Sequence, residues 1–158
     1  MKLYHASNLI ITNPDIYHSR KKLDFGIGFY LTPMYKQAKE LCQRFLAKKN
    51  QKAFISKYVL DDKCFSKYNF LDFPEYSEEW LDFVLICRQG LDKSNYDLVM
   101  GGVADDRVFN TVELFIEGYI DKLEALKRLK YYKPNSQLCI RKQEILDNYL
   151  HFIESEEI

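Results

Sequence analysis

Asp24-Phe25-Gly26-Ile27-Gly28-Phe29-Tyr30-Leu31-Thr32 places two of the chain's six glycines around one isoleucine, directly ahead of an apolar, aromatic run. Phe29, Tyr30 and Leu31 favour a strand, and a glycine pair before them marks backbone that bends sharply or is closely approached. Three familiar motifs are excluded. The letters DFG follow no glycine-rich loop and no HRD-type loop, so they are not a kinase signature. No GxxxxGK[ST] occurs in the chain, which removes a phosphate loop. Gly26-x-Gly28 lacks the third glycine of a dinucleotide fingerprint and leads into a strand rather than a helix. What stands is a turn launching a strand over residues 27–31.

Working outward, Met34, Ala38, Leu41 and Phe45 recur at helical spacing, with Tyr35, Cys42 and Leu46 widening the stripe. This predicts an amphipathic helix over 34–49. Residues 2–5 and 53–60 read as strands, with Asn13-Pro14-Asp15 as a loop. Ser77 followed by Glu78 and Glu79 is a capped helix start. A strand over 96–100 is expected to close at Gly101-Gly102. A helix carrying Val108, Val112, Phe115 and Ile116 stops at Gly118, and another spans 121–130. Pro134-Asn135 turns the chain into a final strand at 136–140, and 145–152 reads as a terminal helix. The irregular mixture, at 158 residues, predicts one α+β domain over 1–158.

Lys and Arg total 23 and so do Asp and Glu, so no global field draws the protein to nucleic acid or anionic lipid. Basic clusters at 20–22, 48–52 and 127–133 read as solvated faces. The cysteines at 42, 64, 87 and 139 have no metal-ligand spacing and sit largely in apolar runs, as reduced structural thiols do. His5, His18 and His151 form no metal-binding pattern, so no metal is expected. The start MKLYHASN has no apolar signal region and no apolar run reaches a membrane span, which predicts a cytoplasmic protein with no membrane partner.

Several blocks occur in a fixed order. Leu3-Tyr4-His5-Ala6-Ser7 comes first, then Arg20-Lys21-Lys22-Leu23-Asp24-Phe25-Gly26 and Gly28-Phe29-Tyr30-Leu31-Thr32. Tyr96-Asp97-Leu98-Val99-Met100-Gly101-Gly102-Val103-Ala104-Asp105-Asp106 and Ser136-Gln137-Leu138-Cys139-Ile140 follow. This order resembles a bacterial and phage-associated domain family of unknown function within the ADP-ribosyltransferase superfamily, over roughly residues 3–150.

The resemblance implies a split β-sheet core with flanking helices and NAD as substrate. It places His5 on the ribose, Tyr30 against the nicotinamide, and Gln137 where many such transferases carry glutamate. Glutamine cannot supply that negative charge, so Asp105 or Asp106 becomes the candidate carboxylate. Ala6, Gly26 and Gly28 are expected to line the NAD site, with Arg20 on the pyrophosphate. The acceptor of ADP-ribose is then a protein or a nucleic acid, and a small antitoxin protein is an implied partner. Two alternatives stay open: a catalytically inactive module that binds a nucleotide or protein, and an NAD-using RNA 2′-phosphotransferase.

Overall fold

The computed structural model describes residues 1–104, 106–132 and 135–158, the side chain of Asp106 excepted. It contains seven strands and six helices among those residues. In chain order they are β1 (Lys2–Ser7), β2 (Phe29–Leu31), α1 (Tyr35–Leu46), β3 (Phe54–Leu60), α2 (Cys64–Lys67), β4 (Phe70–Asp72) and α3 (Glu78–Gln89). Then come β5 (Leu98–Gly102), α4 (Asp106–Ile116), α5 (Lys122–Leu129), β6 (Ser136–Ile140), α6 (Gln143–Tyr149) and β7 (Leu150–Glu157). The chain is thus a mixed α+β fold. Among the described residues no helix is long and apolar enough to cross a membrane.

The strands form two sheets. One has the order β1-β3-β7, all antiparallel; the other has the order β2-β6-β5-β4, antiparallel except for the parallel pair β4–β5. That pair encloses α3, the crossover a parallel connection requires. The sheets join at one seam, where Tyr4 N–H donates to Thr32 O at 2.8 Å and Thr32 N–H returns to Tyr4 O at 2.9 Å.

Alternation along the strands assigns each face. In β6, Leu138 and Ile140 enter the core between the sheets with Leu3, Leu31, Tyr58 and Leu98. Cys139, one residue out of phase, enters a second core with Phe25, Trp80, Val84, Val99, Val112 and Leu129, against α3, α4 and α5. A third cluster packs Ala38 and Cys42 of α1 on Ala6 and Ile55. The second sheet is therefore covered on both faces, and burial of this apolar area is the main stabilising term. Ser77 caps α3 by accepting from Trp80 N–H at 3.2 Å, and Asp121 caps α5 through Glu124 N–H at 2.8 Å.

Four expectations change. The terminal helix ends at Tyr149, and residues 150–157 become β7, because β3 needs a partner on its second edge. The strand at 136–140 is consequently not the final one. Gly101 and Gly102 lie inside β5 rather than closing it, and the β2 strand begins at Phe29 rather than residue 27.

Candidate functional site

A cleft of about 130 Å³ opens beside the seam, between β1, β2, β6 and α1. Its lining includes Tyr4, His5 and Ala6, Tyr30, Gln37 and Leu41, Val103 and Gln137. No lysine or arginine is among the lining residues, so the walls are aromatic, aliphatic and neutral-polar.

Strand register brings Tyr30 and Gln137 together. Tyr30 pairs with Cys139, and Gln137 lies two residues along β6, so the pleat puts both side chains on one face. The Tyr30 hydroxyl accepts from Phe25 N–H at 3.1 Å and donates to Gly26 O at 2.7 Å. Burial drives its pKa far above the ordinary value of 10. With the hydroxyl committed to backbone, Tyr30 offers the cleft its ring and not a proton.

His5 stacks on Phe29 with ring centroids 4.5 Å apart. Its Nδ1 lies 2.7 Å from Tyr30 O, and a carbonyl can only accept, so Nδ1 carries the proton and Nε2 is left as an acceptor. Burial lowers the His5 pKa below 6.5, partly opposed by that same bond, so the ring is neutral near pH 7. Gln37, in the first turn of α1, has a buried Oε1 with no hydrogen-bond partner among the described residues. An unsatisfied buried acceptor of this kind costs on the order of 1–3 kcal/mol.

Gln137 is buried. Its Nε2 donates to Asp24 Oδ2 at 3.0 Å and to Gly102 O at 3.3 Å. Asp24 is held in turn by Arg88, whose Nε and Nη2 donate to Oδ1 at 3.0 and 2.7 Å, and by Ala104 N–H at 3.1 Å. The Arg88 Nη1 reaches Glu113 at 2.9 Å.

The structure thus gathers His5, Ala6, Tyr30 and Gln137 along one cleft and leaves other expected residues elsewhere. Gly26 and Gly28 are not on the lining. Gly26 turns the chain at φ +73°, a left-handed conformation that suits glycine. A Cβ at Gly28 would lie 2.4 Å from Cys139 Sγ and 2.7 Å from Ile140 O, so β6 itself approaches that backbone closely. Arg20 is exposed and off the lining. Asp105 lies outside the described residues; Asp106 opens α4, with its side chain outside what is described. Sequence reasoning assigned no role to Asp24 or Gln37. The signal available for Asp24 is an acidic residue set between the apolar Leu23 and Phe25, just before the Gly26 turn.

The fold and the cleft define a two-sheet α+β domain whose candidate ligand site opens at the junction of its sheets. The chain belongs to the family described as protein of unknown function (DUF3990), which matches residues 1–152. Comparison with curated proteins and with solved structures gives no match.

Proposed function

We propose that the protein is an NAD-dependent ADP-ribosyltransferase with a split-sheet transferase core, acting in the cleft beside the Tyr4–Thr32 seam. The observation that carries this reading is the convergence of His5, Tyr30 and Gln137, from three separate strands, on one cleft. An aromatic, mostly apolar wall fits a flat heteroaromatic ring, and the cationic nicotinamide of NAD gains roughly 0.5–2 kcal/mol from a ring face. The His5 Nε2 acceptor suits a ribose hydroxyl.

Among the described residues the lining holds no lysine or arginine, so the fit is to nicotinamide and its ribose. NAD supplies the chemistry. Its glycosidic C–N bond breaks, the electron pair leaves with nicotinamide, and a nucleophile that sheds a proton takes the ribosyl carbon. Within the chain, Tyr30 holds the ring, His5 orients the sugar, and Gln137 presents an acceptor near the carbon that gains positive charge. The nucleophile belongs to a protein or a nucleic acid. A small antitoxin protein that restrains the enzyme completes the proposal.

Nicotinamide release from NAD by the wild type, His5→Ala and Tyr30→Ala tests it. Each substitution is expected to lower turnover roughly tenfold or more, whereas Tyr30→Phe, which keeps the ring, retains most of it. Equal turnover in wild type, His5→Ala and Tyr30→Ala overturns these roles. NAD binding without nicotinamide release, in the presence of cell protein and RNA, favours the inactive binding module, a reading supported by the neutral amide at Gln137.

A further inference from the structure

The Gln137 amide has only one orientation that satisfies its neighbours. Asp24 Oδ2 and Gly102 O are both acceptors, so the atom facing them is the nitrogen. The oxygen is turned the other way. Among the described residues Oε1 accepts no hydrogen bond, while Gln137 itself lines the cleft. A residue only 8% exposed thus lines the cleft with its amide nitrogen committed to Asp24 and Gly102.

Asp24 is fixed more firmly still. One oxygen takes both Arg88 donors, which frees the other for Ala104 N–H and Gln137. Among the described residues two carboxylates, Asp24 and Glu113, contact the Arg88 guanidinium, and it is Asp24 that meets the amide. A carboxylate on the N–H side of an amide polarises it and makes its oxygen a stronger acceptor.

We propose that Asp24 is a positioning residue of the cleft: it locks Gln137 with the carbonyl oxygen outward and strengthens that oxygen as a hydrogen-bond acceptor. The matching ligand group is a donor, which under the ADP-ribosyl transfer reading on which this rests is a ribose hydroxyl of NAD. The negative charge that Gln137 lacks thus stands one hydrogen bond behind it, on the aspartate of the DFG letters.

Gln137→Glu tests the arrangement without using NAD. It sets a second carboxylate against Asp24, so one of the two must hold a proton and its folded-state pKa rises. Stability from such a group is present at low pH and lost as pH climbs through the raised value. The Tm of Gln137→Glu is therefore expected to fall, relative to wild type, by roughly 5 °C or more between pH 5 and pH 8. Adding Asp24→Asn restores a donor opposite the new carboxylate and removes that slope. An offset that is the same at both pH values, or a slope that survives in the double variant, overturns the proposal.

Should the variants not fold, the wild type alone decides. The Gln137 side-chain amide protons are expected to exchange at least roughly tenfold more slowly than those of exposed Gln51, and equal exchange overturns the lock. For the functional half, Asp24→Asn and Gln137→Glu each lose NAD turnover, and the double variant regains part of it. Absence of that rescue reduces Asp24 to a structural residue. A wild type with slow Gln137 amide exchange, and a Gln137→Glu variant with the expected Tm slope, that both ignore NAD overturn the transferase reading and not the lock.

Discussion

The two walls of the cleft are held by different means. The β6 wall, with Gln137, is tied through Asp24 to a half-buried guanidinium and a second carboxylate. The β1 wall, with His5, rests on one neutral hydrogen bond and one aromatic stack. Charges hold geometry tightly but leave a costly orphan when one is removed; neutral groups give way more gently. One wall is therefore sensitive to single charge deletions, and the other to proton balance.

Arg88→Ala breaks the comparison most severely. Removing one partner of a buried pair leaves the other uncompensated, which costs about 3–5 kcal/mol, or a Tm loss of about 10 °C by thermal denaturation. A loss of a degree or less would mean that Asp24 reaches water. Gly28→Ala comes next, because its Cβ would lie within 3 Å of both Cys139 Sγ and Ile140 O. Overpacking of this kind costs about 1–3 kcal/mol, measurable by urea unfolding as a lowered midpoint.

The β1 wall is probed by pH. Burial holds the His5 pKa below 6.5, so as pH falls the unfolded chain takes a proton that the folded one resists. The contribution is fully present above the unfolded value and is lost as pH drops from there towards the lowered one, by at most about 1.4 kcal/mol per pH unit. Wild type is expected to lose Tm more steeply than His5→Gln between about pH 7 and pH 5. Parallel curves would mean that His5 takes up its proton over the same pH range in the folded and unfolded chain. The smallest effect belongs to Lys57→Ala, which removes a solvent-facing ion pair with Glu154 at 2.7 Å between β3 and β7. No resolvable change in Tm is expected, since solvent screens such pairs.

How far the sequence foretells this molecule depends on how local each cause is. The 34–49 stripe, the Ser77 cap and the apolar runs at 53–60 and 136–140 act within a few residues, and the helices and strands appear there. β4 has three residues and α2 four, too short for any periodicity to register. Residues 145–152 carry apolar side chains at helical spacing, yet Leu150 to Glu157 pair with β3, a demand made by a strand about a hundred residues away. The cleft divides in the same way. The ordered blocks around His5, Tyr30 and Gln137 pointed to residues that the fold brings to one place, while the Asp24–Gln137 bond joins positions 113 residues apart with no local trace. Arg20, Gly26 and Gly28 are expected at the site because a guanidinium fork suits a pyrophosphate and glycine lets backbone come close to a dinucleotide. None of the three is on the lining: Gly26 turns the chain and Gly28 lies against β6.

Among the described residues β7 pairs only with β3, so alternate residues of this eight-residue strand turn their backbone donors and acceptors away from the sheet. An open strand of this length is a template for stacking onto a second molecule. Glu154, Glu156 and Glu157 give that margin a negative sign, and two copies meeting there would oppose like charge with like. Replacing these three glutamates by glutamine is therefore where light scattering is expected to report self-assembly first.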